Sequence, residues 1–288
     1  MIGKTLVSKK SSKDLVRIIL FVIVVTAFPY RVMACFETDE IGGKAIGMGG
    51  AWSGVCNDPN TIFFNPAGLE NIGCPCLSCT YTELFSIKEL QTNSIIYVHP
   101  LRNYGAISLS FHGFGTHIYR EEISYLSYAK YLLTGIYLGI NLKYMVLRVE
   151  IDGVRQGTKG YGVDCGLVYK VEDRLWLGLA IKNINRPVVG EALPKELTMG
   201  VGIRPLGRLI LSIDYKRVHG KIYYPPETSA GCEFQVTNWF YTRFGIKTDP
   251  SLFTFGVGFK VNGIDLDYAG IYHPVLPLTH QMGFTISL

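Results

Sequence analysis

The stretch TGIYLGINLKYMVLR, residues 134–148, is the clearest indication of the fold of this 288-residue chain. One face of the stretch is apolar: Ile136, Leu138, Ile140, Leu142, Tyr144 and Val146. The alternate positions are small, polar or charged: Gly135, Tyr137, Gly139, Asn141 and Lys143. Strict alternation with a period of two is typical of a β-strand. At about 3.3 Å per residue, this strand is long enough to cross a bilayer even when it is tilted.

The same alternation recurs to the end of the chain. It predicts about fourteen strands, at roughly 75–85, 92–100, 104–113, 121–131, 134–148, 160–170, 174–182, 196–204, 207–217, 227–236, 239–247, 251–261, 263–271 and 279–288. Short connections follow the even-numbered strands, whereas longer ones, such as 150–159 and 183–195, mostly lie between them. This pattern is typical of the periplasmic turns and outer loops of bacterial barrels, which have even strand numbers.

The composition indicates that the apolar face meets lipid. Only 18% of the residues are charged, against about 25% in ordinary soluble domains. A soluble sandwich also alternates, but its outward faces are mostly charged, whereas here the second face is glycine or small and polar. No open sheet edge is tolerated in lipid. We therefore predict an all-β fold, a closed transmembrane antiparallel β-barrel in the outer membrane of a bacterial cell.

The N-terminus is typical of an export signal. Several lysines precede the apolar run Ile18–Phe28, which at about eleven residues is too short for a membrane span but suits a signal peptide. We predict a signal peptide over residues 1–34, a plug segment over 35–74 and the barrel over 75–288. A membrane-anchored N-terminal helix is the alternative, and Val32–Cys35 loosely matches a lipoprotein cleavage box.

Residues 42–73, GGKAIGMGGAWSGVCNDPNTIFFNPAGLENIG, do not alternate. Glycines permit close backbone approach, and Asp58-Pro59 and Asn65-Pro66 each offer a helix cap followed by proline at the first helical position. This composition predicts a compact segment with one or two helical turns. Because it precedes the first strand and carries apolar residues that need a packing partner, we place it inside the barrel as a plug.

The segment also carries a signature. The pattern G-x-A-x-G-M-G-G-A, followed by N-D-P and N-P-A-G-L, resembles the N-terminal signature of FadL-type hydrophobic-compound transporters and PorV/PorQ-type proteins. The plug-motif residues are Gly47, Gly49, Gly50, Asp58, Asn65, Pro66, Ala67 and Gly68. The resemblance covers about forty residues and implies a fourteen-stranded barrel with an N-terminal plug. Residues 79–85 resemble the first strand of the PorV-like branch, which favours that branch.

The resemblance implies two alternative functions. One is passive transport of hydrophobic small molecules, in which Asn65, Pro66 and Ala67 hold the critical turn of the plug. The other is a docking component of a protein secretion or envelope-assembly system. Outer-membrane lipid is the expected surroundings in both cases, with hydrophobic small molecules or secretion-system proteins as partners.

Several cations fall on the face predicted to line the lumen. The principal ones are Lys143, Arg204, Arg243 and Lys260, together with Lys216 and Lys247. They could attract a carboxylate head group. Alternatively, they pair with acidic residues to keep the lumen polar: Asp164, Asp214, Glu233, Asp265 and Asp267.

Other chemistry finds little support in the sequence. No nucleophile elbow, zinc-protease helix or phosphate-binding loop is present, so we predict neither an enzyme nor a cofactor. The net charge of +5 is spread along the chain, which argues against nucleic-acid binding.

The C-P-C-L-S-C cluster at residues 74–79 lacks a second ligand pair for a metal. A disulfide among Cys56, Cys74, Cys76 and Cys79 is the remaining alternative.

Overall fold

The computed structural model describes Phe36 and residues 40–151, 153–220 and 224–288, with the backbone alone at residue 151. These residues belong to one compact unit, Cys35–Leu288. The predicted signal peptide, residues 1–34, lies outside the described residues. Within the described ranges, no helix has the length and apolarity needed to span a membrane.

The strands follow the alternation of the sequence. In chain order they are β1 (Cys76–Glu83), β2 (Gln91–Pro100), β3 (Ala106–Gly115), β4 (Tyr119–Leu133), β5 (Ile136–Ile151), β6 (Val154–Glu172), β7 (Leu175–Lys182), β8 (Val188–Val189), β9 (Glu191–Ala192), β10 (Lys195–Leu206), β11 (Leu209–His219), β12 (Glu227–Gln235), β13 (Phe240–Lys247), β14 (Leu252–Val261), β15 (Ile264–Tyr272) and β16 (Thr279–Ser287). The short strands β8 and β9 form a separate hairpin, and the other fourteen form one closed barrel.

Closure is achieved by the first and last strands. β1 pairs antiparallel with β16, from Cys76 opposite Ser287 to Glu83 opposite His280. Every barrel strand therefore has two hydrogen-bonded neighbours, as a lipid environment requires. The predicted closed, antiparallel, fourteen-stranded fold is confirmed.

One predicted connection is wrong. Residues 150–159 were expected to form a long loop, but β5 and β6 continue through them as a hairpin. The polar sequence there reflects exposure rather than a loop: Arg155 Nε lies 2.8 Å from Glu150 Oε2 across the hairpin. The other long connection, 183–195, contains the β8–β9 hairpin. We call the end of the barrel that carries these connections the loop end, and the opposite end the short-turn end.

The two faces of the barrel wall differ as the sequence predicts. Large apolar side chains point outward and are exposed, including Leu109, Leu126 and Leu142. The inward positions are buried and mostly small or polar, such as Ser108, Ser127 and Asn141.

The lumen is filled by the N-terminal segment, residues 40–74, which we call the plug. It contains a short helix, α1 (Gly43–Gly47), and two 3-10 helices, Pro59–Phe63 and Pro66–Asn71. Further 3-10 turns lie at Leu84–Ser86 and Arg102–Tyr104. Plug residues Ile41, Met48, Trp52, Ile62 and Leu69 are almost completely buried. They and the inward side chains of the wall form the core of the molecule.

The described cysteines are unpaired. Cys56, Cys74, Cys76 and Cys79 are all free, so the alternative of a disulfide among them is wrong. Cys56 is buried within the plug, and its thiol donates to the carbonyl of Trp52 at 2.9 Å. Burial raises the pKa of this thiol well above its ordinary value, so it is an inert packing group.

Candidate functional site

The Asn-Pro-Ala turn is the point at which the plug is tied both to itself and to the wall. The Asn65 side chain accepts a hydrogen bond from the Ala67 amide at 3.2 Å, which confirms the predicted helix cap. Its Nδ2 group donates to the carbonyl of Ser53, elsewhere in the plug, at 2.9 Å. The same group donates to the carbonyl of Leu167 on β6 at 3.0 Å. Asn65 is completely buried, so no solvent competes for these bonds.

The predicted cap at Asp58 is wrong. Its side chain makes no capping hydrogen bond to the helix at Pro59. Asp58 is instead buried, which raises the pKa of its carboxyl to about 6, although the nearby Lys44 ammonium opposes the shift. The pKa of Lys44 is itself raised: burial opposes the ammonium form, but the carboxylates of Asp267, Asp58 and Glu233 outweigh burial.

The plug approaches the wall where glycines face one another across neighbouring strands. These cross-strand pairs are Gly139 with Gly166, Gly178 with Gly200, and Gly231 with Gly245. A Cβ atom on any of the six would lie within 2.3 Å of another atom. The first pair seats the Asn-Pro-Ala turn, the second seats Ser53, and the third seats Met48 and Gly49. The small inward face predicted from the sequence therefore has a specific purpose, which is to admit the plug backbone.

The glycines of the plug motif also lie where a side chain would be strained or would clash. Gly49 and Gly50 have φ values of 71° and 80°, a region that side chains disfavour. A Cβ atom on Gly68 would lie 2.3 Å from Cys56 Cβ, and one on Gly47 would lie 3.2 Å from Arg243 Cβ. Pro66 and Ala67 lie directly against Gly139.

Asp214 on β11 is a further tie between plug and wall. Its Oδ2 atom accepts hydrogen bonds from the Trp52 amide at 3.1 Å and from the Ser53 amide at 2.8 Å. Sequence reasoning treated Asp214 as a partner for a lysine or arginine. The structure places it against plug backbone because the Gly178–Gly200 seat brings Ser53 within reach.

Arg243 occupies the centre of the charged part of the lumen. Its side chain is 1% exposed, and its Nε and Nη1 atoms lie 2.7 Å from Glu233 Oε2 and Asp267 Oδ1, respectively. Lys143 is similarly buried and lies 2.8 Å from Asp164 Oδ1. Both cations therefore face the lumen and meet carboxylates of the wall.

Lys216 and Lys247 meet carboxylates that sequence reasoning missed. Both contact Glu40 at the start of the plug, and each lies 3.1 Å from Glu227. Burial disfavours the Glu40 carboxylate, but the two ammonium groups outweigh it and lower its pKa well below the ordinary value. No sequence signal pointed to Glu40, which precedes the recognised motif.

Arg204 and Lys260 lie towards the short-turn end. Arg204 lies over the Trp176 ring, with 5.4 Å from Cζ to the ring centroid. Lys260 is exposed and lies 3.2 Å from Asp265, which also meets Lys44 of the plug at 3.5 Å. Both cations line a polar cavity of about 250 Å³, together with Lys44, Arg243, Glu233 and Asp267. Within the described residues, no group of His, Cys, Asp and Glu is placed to hold a metal ion.

The other side of the lumen is apolar. The plug residue Phe63 packs edge-on against Tyr125 of β4, with 5.5 Å between ring centroids, and against His112 of β3 at 6.1 Å. The same apolar cluster continues to the loop end through inward side chains and the β8–β9 connection: Ile123, Met145, Leu147, Val189 and Leu193. Sequence reasoning missed Val189 and Leu193, because a loop valine or leucine carries no signal of its own.

Polar side chains without partners lie beside this apolar side. The hydroxyls of Ser94, Ser108, Ser110 and Ser127 are buried on β2, β3 and β4, and none has a hydrogen-bond partner among the described residues. The Nδ1 atom of His112, directly opposite Ser94 in the sheet, is also buried without a hydrogen-bond partner among the described residues. Buried polar groups of this kind ordinarily bind water or a ligand.

Comparison with known proteins identifies the fold of this chain. No protein-family model and no curated protein sequence matches this chain. Among solved structures, the toluene transporter TbuX of Ralstonia pickettii has a TM-score of 0.69 at 13% identity, over 88% of this chain and 100% of the other. A FadL homologue of Pseudomonas aeruginosa has a TM-score of 0.64 at 11% identity, over 86% and 98%. The toluene transporter TodX of Pseudomonas putida has a TM-score of 0.63 at 13% identity, over 86% and 99%. The chain therefore has the FadL-like barrel fold that these transporters share.

Proposed function

We propose that this chain is an outer-membrane channel for passive uptake of hydrophobic small molecules, with the plug as its gate. The observation that carries the proposal is the apolar side of the lumen. Apolar side chains run from Leu147, Val189 and Leu193 at the loop end to Phe63 of the plug. This continuous apolar surface is favourable for a hydrophobic solute.

The charges favour an uncharged solute. Five of the six lumen cations that could attract a carboxylate already meet wall or plug carboxylates, as Arg243 does at 2.7 Å. The sixth, Arg204, lies over the Trp176 ring. A solute with an anionic head would have to displace a buried, hydrogen-bonded carboxylate, which is costly. Simple aromatics are thus the favoured substrates over long-chain fatty acids. The structural similarity to the toluene transporters TbuX and TodX supports the same solute class.

The proposed gate is movement of the plug away from the β2–β4 wall. The contact of Phe63 with Tyr125 and His112 closes the apolar side. The unpartnered serine hydroxyls beside it would gain water when the plug moves. Outside that wall, Asn65 ties the plug to β6 and Asp214 ties it to β11.

A reversible lock tests the gate. Thr80 Oγ1 on β1 donates to Asn60 Oδ1 in the plug at 3.2 Å, so the double variant N60C/T80C should form a disulfide between plug and wall. We expect liposomes containing the oxidised double variant to lose saturable uptake of labelled toluene, the favoured solute. A reductant should restore that uptake.

The single variants N60C and T80C are the matched controls, since they reveal any pairing with native cysteines. Heat-modifiable migration on gels checks that each barrel is folded. Full uptake by an oxidised, fully cross-linked double variant would show that the plug need not move. No uptake by the folded wild-type barrel would contradict the transport function itself.

Docking to a secretion or envelope-assembly system is the second candidate. It rests on the resemblance of residues 79–85 to the PorV-like branch and on modest connections such as 116–118 and 248–251. Extraction in mild detergent should then co-purify a large envelope protein in defined proportion. Isolation of the barrel alone under conditions that preserve other envelope complexes would count against docking.

A further inference from the structure

The outward face of strands β3–β6 changes character in steps towards the loop end. The register aligns its residues in rows across the four strands. The first row is apolar: Leu109, Leu126, Leu142 and Val163. The next row contains Ser124 and three aromatic residues, Phe111, Tyr144 and Tyr161. The third row, Gly113, Glu122, Val146 and Lys159, contains two charged residues. The fourth row, Gly115, Arg120, Arg148 and Gly157, contains two arginines.

The order of the rows indicates how deep the charged rows lie in the membrane. Aromatic side chains on barrel exteriors mark the boundary between hydrocarbon and headgroups. Tyr144 and Tyr161 form such a boundary, with ring centroids 5.3 Å apart. The charged rows begin one step beyond them, which is the level of lipid headgroups.

The charged rows surround a cleft. Gly113 and Gly115 carry no side chains, and Gly157 leaves space on the other flank. The resulting cavity of about 690 Å³ is lined by Arg120, Arg148, Arg155, Lys159 and Glu122, with Phe111 and Tyr144 on its membrane side. We call this cavity the outer cleft.

The cleft has an excess of positive charge. Glu122 meets both Arg120 at 2.8 Å and Arg148 at 2.9 Å, so one carboxylate serves two guanidinium groups. Glu150 meets Arg155 at 2.8 Å. The side chains of Arg120 and Arg148 remain 50% and 57% exposed. Each therefore keeps donors available beyond those used by Glu122.

We propose that the outer cleft binds the phosphate of an anionic membrane lipid. A guanidinium group can donate two hydrogen bonds to one phosphate. Arg120 and Arg148 lie directly opposite each other on β4 and β5, and both keep exposed donors for the same phosphate. The acyl chains of the same lipid lie along the apolar row of Leu109, Leu126 and Leu142. This role is independent of the plug and concerns lipid rather than a transported solute, but it presumes the membrane orientation that the proposed function entails.

The adjacent surface favours lipid over a soluble anion. A free phosphate would use the arginines alone, whereas a lipid also covers Leu109, which is 60% exposed, and Tyr161, which is 71% exposed. Burial of this apolar surface adds to affinity. Basic clusters next to a membrane-spanning surface recognise anionic headgroups in the same way.

Native mass spectrometry of the purified full-length barrel in detergent tests the site. The probes are phosphatidylglycerol, phosphatidylcholine with the same acyl chains, and inorganic phosphate. We expect the wild type to bind phosphatidylglycerol more tightly than phosphatidylcholine, and R120Q/R148Q to lose about tenfold in affinity for phosphatidylglycerol, as expected when charged hydrogen bonds are removed.

The matched control is K88Q/R217Q, which removes the same charge from exposed cations at the same end of the barrel. It should bind phosphatidylglycerol as the wild type does. Equal losses in both double variants would show that net charge, not the cleft, determines binding, and would overturn the proposal. Equal affinity for the two lipids, or inorganic phosphate bound as tightly as phosphatidylglycerol, would also overturn it. Since none of these measurements involves uptake, a failure here is distinguishable from a failure of transport.

Discussion

The plug meets the two sides of the lumen by different means. On the β2–β4 side it presents side chains, such as Phe63 against Tyr125 and His112. On the β5–β14 side it presents backbone, seated over glycine pairs and held by Asp214. Side-chain contacts can be broken and remade by rotamer changes, whereas backbone seats tolerate no added atom. If the plug gates as proposed, the first side is the one that opens and the second anchors the plug.

Loss of the buried cation should have the largest effect on the anchoring side. R243M leaves Glu233 and Asp267 buried without their partner, and we expect a loss of about 3–5 kcal/mol in the free energy of unfolding. Denaturant titration of the barrel in detergent measures this loss. K260M removes a half-exposed cation from Asp265, which keeps Lys44 as a partner, and should cost at most about 1 kcal/mol. Similar small losses in both variants would show that the buried cluster does not stabilise this side.

A single methyl group should distinguish the two sides. In G166A the new Cβ atom would lie 2.0 Å from Asn65 Oδ1 and 2.8 Å from Pro66 Cδ. We expect a loss of about 1–3 kcal/mol from overpacking, measured by the same titration. S127A removes an unpartnered buried hydroxyl on the apolar side, and should leave stability unchanged or raise it. A tolerant Gly166 would contradict the backbone seat.

The smallest effect should come from protonation within the plug. Asp58 has its pKa raised by burial to about 6, above the ordinary 3.8, so the folded chain holds this proton more tightly than the unfolded chain. Its contribution to stability is therefore present at low pH and is lost as pH rises through about 6. Between about pH 4 and about pH 7 the unfolding free energy should therefore fall less in D58N than in the wild type. Identical pH dependence in the two proteins would refute this assignment.

Local patterns predicted much of the fold. Outward residues such as Leu138 and Ile140 follow a period of two that is set by strand geometry alone, so the strands could be placed without knowing their neighbours. The Asn65 cap was equally visible, because capping involves residues adjacent in sequence. The β5–β6 hairpin was misjudged at 150–159, since polar residues indicate exposure as readily as they indicate a loop.

The site depended more on tertiary structure. Asp214 was predicted to meet a cation, but the fold brings it to the Ser53 amide, 161 positions away. Glu40 was not recognised at all, because its partners Lys216 and Lys247 lie on strands near the other end of the chain.

Residue patterns within the sequence were enough to predict a barrel with an apolar exterior, an interior of small and polar residues, and a capped N-terminal segment before the first strand. Alternation, glycine content and capping are local properties, and each is readable from neighbouring residues. The tertiary structure was needed to show which wall glycines pair beneath the plug, which carboxylate meets which cation, and that Val189 packs in the apolar cluster. Those outcomes depend on strand register and barrel closure, which bring together residues far apart in the chain.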